Sequence, residues 1–192
     1  MESSPVEESE VRRRRLSVPR FRIVQRLSRL GLPDYTVFTI LSIITGAVAG
    51  IAAVLFHETV HRLTEVFFHH LGGLLSRGIP FYVVFIPAVG MFLQSLMIRL
   101  APITARKRGV LEVIKAVALR GGHIPFRTTL FHFLAPAICI GSGGTVGPEG
   151  PVAQVGGGVA SKMGSLFGLG DSRRRIFTAA GSGAAIAAVF NT

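Results

Sequence analysis

The segment GSGGTVGPEGP, residues 141–151, combines five glycines, two prolines and one carboxylate between two apolar runs. A helix that begins near Gly150 or Pro151 leaves its first amide N–H groups without intrahelical partners. These amides carry the partial positive charge of a helix N-terminus, and glycine leaves room for an ion beside them. The segment therefore predicts an anion-binding site made of backbone, at a helix interrupted inside a membrane.

Glu149 lies at this electropositive end of the predicted helix. An ionisable residue inside a membrane segment costs about 2.5–3.5 kcal/mol at mid-depth, which makes it a functional candidate. Its carboxylate competes with a bound anion for the same amides, and protonation removes the charge that holds it there. We therefore predict a proton-sensitive gate. The alternative is a helix-capping glutamate in a loop exposed to water.

The predicted anion donors are the amides at the start of this helix, namely those of Gly147, Gly150, Val152 and Ala153. Pro151 has no N–H to donate. Gln154, one turn into the helix, is expected to form a helix–helix hydrogen bond rather than to bind the ion. Ser142 could cap or line the ion path, although serines in such turns more often bond to local backbone.

His57, Glu58 and His61 form a second motif, H-E-x-x-H, directly after the first apolar run. On a helix the two histidines share a face and would bind zinc, with Glu58 as general base. Such a site needs a third ligand, commonly an aspartate on another span, and the only aspartates, Asp34 and Asp171, lie at predicted helix starts. An intramembrane metalloprotease stays an alternative, as does an accessory structural membrane protein.

The composition favours a membrane protein over a soluble domain. Hydrophobic residues make up 49% of the 192 residues and charged residues only 16%, whereas soluble domains average about 25% charged residues. The formal net charge of +11 comes from basic residues that cluster at the ends of apolar runs. Such clusters contact anionic lipid headgroups and set membrane orientation, so we expect membrane lipid and no nucleic acid as a partner.

The apolar runs predict the helices that position these residues. Residues 1–33 are predicted to be a basic cytoplasmic tail that contains an amphipathic helix, and residues 34–192 a transmembrane region. Two spans are expected at about 35–56 and 80–97, then a short amphipathic helix after residue 109, an apolar run at 128–140, and helices at 152–169 and 172–190. The arginines before the first span and those in 99–108 predict a cytoplasmic N-terminus of a multi-pass protein of the plasma membrane.

Gly46 and Gly50 lie one helical turn apart in the first predicted span. This GxxxG spacing predicts close packing against another helix, because small residues let two backbones approach.

Residues 141–163 resemble the signature stretch of the CLC family of voltage-gated chloride channels and chloride/proton antiporters, a Gly-Lys/Arg-Glu-Gly-Pro core followed by an apolar helix. Residues 179–191 resemble the family's next helix. The resemblance implies an all-α polytopic membrane fold with broken or re-entrant helices, and Glu149 as the outer gate. It implies chloride and protons as transported ions, no cofactor, and a homodimer whose interface is absent from this chain.

Two departures from the family pattern affect the expected site. The first anion-site motif of the family, Gly-Ser-Gly-Ile-Pro, is matched at Gly109, whereas Arg108 replaces the serine and Leu111 the proline. Arg108 and Gly109 are therefore the inner anion-binding candidates that the resemblance implies, and Pro148 replaces the basic residue before Glu149. Because the resemblance covers less than the family's first inverted repeat, we expect a truncated chain that is inactive alone.

Zinc analysis of the purified protein separates the transporter from the metalloprotease. The transporter interpretation predicts only trace zinc, at the same level in the wild type and in His57→Ala. Stoichiometric zinc that disappears in His57→Ala would support the metalloprotease instead.

Overall fold

The computed structural model describes residues 33–75, 82–106 and 109–190, and all regular structure within these ranges is helical. The all-α prediction is confirmed, whereas the predicted tail up to residue 32 and Arg108 lie outside the described residues. The helices are α1 Asp34–Glu65, a π-helical segment Val66–Leu71, α2 Gly72–Leu75, α3 Tyr82–Leu100, α4 Pro102–Ala105, α5 Val110–Leu119, α6 Phe126–Gly141, α7 Glu149–Leu166 and α8 Asp171–Phe190.

Two helical stretches are long and apolar enough to cross a membrane. They are Tyr35–His70, which contains most of α1, and Val83–Leu100 in α3, in agreement with the two predicted spans. α3 tolerates Pro87 in its interior, as membrane helices do. α5 has only 10 residues and is too short to span, as predicted. The α1 glycines Gly46 and Gly50 face open space, so within the described residues the predicted GxxxG contact is not made.

Helix α7 lies at the centre of the fold because three neighbours pack against its consecutive glycines, 156–158. The first faces Ala185 of α8, the second Val113 of α5 and the third Thr129 of α6. A methyl group at the first or the third position would overlap the facing side chain. These glycines therefore allow α7 to contact three helices at backbone distance.

Helix α1 covers α7 and α8 along most of its length through two apolar clusters. One cluster, near the start of α1, contains Val37, Leu41, Phe167, Leu169 and Phe177. The other, in its second half, contains Ala53, Phe56, Ala137, Val152 and Ala185. The start of α1, the end of α7 and the start of α8 consequently lie at the same end of the bundle.

The connection between α5 and α6 is tied to α7 and α8 by side chains. Arg174 Nε donates to the carbonyl of Gly121 (2.9 Å), and the carbonyl of Gly122 accepts from Ser161 Oγ (2.7 Å) and Thr178 Oγ1 (2.8 Å). Gly122 adopts a positive φ of 73°, which a residue with a side chain would adopt only under strain. These bonds fix the position of the C-terminal end of α5. Because the helix is short and rigid, they also restrict the position of its N-terminal end.

Replacing Gly156 by valine tests the α7–α8 contact. The added side chain overlaps Ala185, so we expect a loss of about 1–3 kcal/mol in the free energy of unfolding, beyond the helix-propensity term. Gly183→Val in α8 is the matched control, because nothing lies within 4 Å of a methyl group there. Denaturation in detergent, followed by circular dichroism, measures both variants, and equal losses would contradict the packing described.

Candidate functional site

The starts of α5 and α7 meet at two glycines. A methyl group on Gly150 would lie 3.7 Å from the Cα atom of Gly109, so the two backbones are in van der Waals range. Gly109 precedes α5 with φ 73°, a left-handed conformation that glycine adopts without strain. The sequence-predicted residues Gly109 and Gly150 are thus brought together, and two helix N-termini point their positive ends into one region.

Two backbone amides are available at the start of α7. The amide of Val152 donates to the carbonyl of Pro148 (2.9 Å), and that of Ala153 lies within the regular helical hydrogen-bonding pattern. The amides of Glu149 and Gly150 precede this pattern and have no acceptor among the described residues. The donors predicted at positions 152 and 153 are therefore engaged within the helix, and the first two helical residues supply the available ones.

The start of α5 offers a second pair of amides. The Gly109 N–H donates to Oε1 of Gln154 at 2.6 Å, and the Glu112 N–H donates to the carbonyl of Gly109 at 3.1 Å. The amides of Val110 and Leu111 have no acceptor within the described ranges. Gln154 forms the hydrogen bond between helices that its position predicted, and its partner is the backbone at the start of α5.

The Glu149 side chain is exposed and bends back towards the preceding connection. Its Oε2 atom occupies the space that a methyl group on Gly147 would fill. Gly147 is therefore close to the carboxylate, and its lack of a side chain makes room for it. The carboxylate thus lies beside the connection that leads into α7, on the exposed side of the helix start.

Ser142 is a local backbone partner rather than a group that faces a cavity. Its side chain is fully buried, and Oγ donates to the carbonyl of Cys139 at 2.8 Å. A methyl group on Gly90 of α3 would overlap Ser142, so the serine packs tightly between α3 and α6. Of the two inner candidates, Gly109 lies at the helix junction, whereas Arg108 lies outside the described residues.

A buried ion pair next to the site was not predicted from the sequence. Glu112 Oε1 and Arg120 Nη2 are 2.6 Å apart, with 7% of the Glu112 side chain and 35% of the Arg120 side chain exposed. The arginine follows the last turn of α5 and reaches back to a carboxylate in the first turn. Arg120 thus compensates the charge of the buried carboxylate in the first turn of α5.

The H-E-x-x-H residues do not assemble a metal site. Glu58 is paired with Arg62 at 2.9 Å, and His61 Nδ1 lies 3.7 Å from Glu65 of the same helix. Within the ranges that the structure describes, no group of three or more His, Cys, Asp or Glu side chains is arranged to hold a metal ion. The geometry therefore gives no support to the metalloprotease alternative.

Comparison with known families gives a match that covers more than half of the chain. Residues 89–192 match the family described as voltage gated chloride channel. This range includes both helix starts of the candidate site.

Comparison with known proteins gives relatives of the same kind. The chain is 29% identical over 163 residues to chloride channel protein CLC-e of Arabidopsis thaliana, covering 77% of this chain and 21% of the relative. It is 29% identical over 184 residues to the H(+)/Cl(−) exchange transporter ClcA of Vibrio cholerae, covering 91% of this chain and 37% of the relative. The chain thus spans less than two fifths of the length of either protein.

A crystal structure of a slow cyanobacterial Cl−/H+ antiporter has a similar fold. It aligns with a TM-score of 0.63 and 23% identity, over 80% of this chain and 37% of that structure. At this identity the likeness establishes the fold alone.

The Glu112–Arg120 pair is tested by a double-mutant cycle. Arg120→Met leaves a buried carboxylate without its partner, and we expect a loss of about 2–3 kcal/mol in unfolding free energy, less than for a fully buried pair because Arg120 is one-third exposed. Adding Glu112→Gln to Arg120→Met should recover part of that loss. Thermal unfolding in detergent measures each variant, and strictly additive effects would show that the pair does not interact.

Proposed function

Because this chain belongs to the voltage-gated chloride channel family, we propose that it forms part of a pathway that moves chloride across a membrane, as a channel or as a chloride/proton antiporter. The observation that carries the proposal is the meeting of two helix starts at Gly109 and Gly150. The relatives bear the names of a channel and of exchange transporters, so transport rather than catalysis is the proposed activity.

The available amides suit a halide because they attract it without a fixed cation. They are the amides of Val110, Leu111, Glu149 and Gly150, two from each helix. Each helix N-terminus carries roughly half an elementary positive charge, so a monovalent anion is attracted and a cation is repelled. The N–H groups replace part of the water that the ion loses when it enters.

Glu149 is the proposed gate of this site. An ionised carboxylate at the start of α7 competes with chloride for the same amides, and a protonated one does not. Support comes from its exposed position and from the space beside Gly147 that its carboxylate occupies. The side chain thus has space beside Gly147, close to the start of α7. A change of rotamer would move the carboxylate towards the amides or away from them.

The charge distribution supports a cytoplasmic N-terminus. The start of α1, the end of α7 and the start of α8 define one end of the bundle, here called the basic end. In the described residues this end holds Lys162 in the last turns of α7 and Arg173, Arg174 and Arg175 at the start of α8, and Arg120 lies beside it because Arg174 Nε donates to the carbonyl of Gly121. Arg62 is the basic residue of the other end, where Glu58, Glu65 and Glu149 also lie. The positive-inside rule assigns the basic end to the cytoplasm.

Lipid contact is proposed for the outer faces of α1 and α3. Exposed apolar side chains cover both helices, among them Ile43 (67%), Val84 (70%) and Phe92 (68%). A face of this kind is stable in hydrocarbon and unstable in water. Other parts of a longer protein, or the partner in a homodimer, would cover some of this surface.

Chloride flux tests the proposed gate. We expect the full-length gene product in liposomes to release chloride at a rate that depends on pH, and Glu149→Gln to abolish this dependence because the amide side chain cannot be protonated in this range. Glu65→Gln is the control, an exposed carboxylate on α1 that lies outside the site.

An unchanged pH dependence in Glu149→Gln would remove this residue as the gate. A wild-type protein that inserts and folds but passes no chloride at any pH would favour the structural membrane protein instead.

A further inference from the structure

Gln154 links the body of α7 to the start of α5. Its side chain is fully buried, with 0% exposed, although it carries an uncharged polar amide. Oε1 accepts the Gly109 N–H at 2.6 Å across 45 positions of sequence. Burial of such a group is unfavourable unless it is hydrogen-bonded, so the glutamine and the backbone of Gly109 depend on each other.

This bond lies where the two groups of available amides meet. Gly109 is the residue whose Cα atom approaches Gly150, and its amide immediately precedes those of Val110 and Leu111. A free Gly109 amide would therefore be a strong donor to an anion held between the helices. The Gln154 oxygen competes directly with that anion for the same N–H.

Resting on the function proposed above, we propose that Gln154 is a positioning residue that fixes the start of α5 against α7 and withdraws the Gly109 amide from the anion. The halide is then bound by the amides of Val110 and Leu111 on one side and by those of Glu149 and Gly150 on the other. Gln154 does not touch the ion. It determines how many donors the ion meets and how far apart the two groups of donors lie.

Apolar packing between α5 and α7 begins next to this bond. Val113 of α5 lies against Gly157 of α7, 3.3 Å from the position of a methyl group there. The helices are therefore in close contact one turn beyond the bond. A glutamine side chain is long enough to cross from α7 to the amide of Gly109, and its oxygen can accept without bringing a charge next to the anion.

Amide hydrogen exchange of the isotope-labelled 192-residue chain in detergent tests the bond directly. In the wild type we expect the Gly109 amide to exchange at least about 100-fold more slowly than that of Gly150, which has no acceptor among the described residues. Gln154→Met, of similar length but without an acceptor, should accelerate exchange at Gly109 by about tenfold or more. Gln154→Glu retains an oxygen at the same reach and should preserve the protection.

Gln94→Met is the matched control, because it makes the same change in α3, away from the site. It should leave exchange at Gly109 unaltered. Equal exchange at Gly109 and Gly150 in the wild type would overturn the proposal. This comparison needs only the wild type, so it can be made even if Gln154→Met does not fold.

Bromide titration of the same samples tests the effect on the anion. In the wild type, bromide should shift the amide resonances of Val110, Leu111, Glu149 and Gly150 and leave that of Gly109 unchanged. In Gln154→Met, Gly109 should begin to respond. A Gly109 amide that responds to bromide in the wild type would overturn the proposal.

The two proposals fail in different ways. If bromide shifts none of these amides while protection of Gly109 still requires Gln154, the link between α5 and α7 is upheld and the anion function fails. If bromide shifts the four amides but Gly109 is protected equally in Gln154→Met, the anion function is upheld and the role of Gln154 is overturned.

Discussion

Two helices of an apolar, membrane-type chain begin side by side, and the rest of the structure accommodates this arrangement. Each helix start exposes N–H groups that no carbonyl of its own helix can accept. Within a membrane such groups need a partner from the protein, a water-filled cavity or an ion. At the starts of α5 and α7 one of these groups, the amide of Gly109, is satisfied by Gln154. The amides that remain available there form the candidate site.

The other parts of the fold hold these two starts together. The glycines at 156–158 let α5, α6 and α8 approach α7 closely, and the side chains of Ser161, Arg174 and Thr178 fix the connection that follows α5. The two carboxylates near the helix starts, Glu112 and Glu149, are in different environments. Arg120 compensates the charge of the buried Glu112, and the side chain of Glu149 is exposed. Backbone dipoles at the two helix starts are therefore the proposed source of a positive potential at the site.

Hydropathy and length were sufficient to predict the helices, because a span needs about 20 apolar residues and α5 is clearly shorter. The sequence predicts that α7 starts at Gly150 to Val152, one to three residues later than its observed start at Glu149. Pro148 precedes the first turn, where a missing N–H has no consequence, so the helix begins at Glu149. Because the helix starts earlier, the amide of Val152 donates to the carbonyl of Pro148 within the helix. The amide of Glu149 is left available.

Contacts between distant parts of the chain could not be predicted in the same way. The partners of Gln154 and Ser161 are backbone atoms 45 and 39 positions away, and backbone groups leave no signature in side-chain types. The Glu112–Arg120 pair had a local signal, an acidic residue in the first turn of a short helix and a basic residue just beyond its end. The spacing of Gly46 and Gly50 predicted a contact that the described residues do not make, because a small-residue pattern does not identify its partner.

The central claim is that the starts of α5 and α7 share one bound anion. Anomalous diffraction from crystals grown in bromide measures this most directly, because it locates the ion without reference to activity. We expect a bromide peak between Gly109 and Gly150, within hydrogen-bonding distance of at least one amide from each helix. Crystals in which the two helix starts are separated, or in which ordered bromide lies elsewhere and this junction is empty, would contradict it.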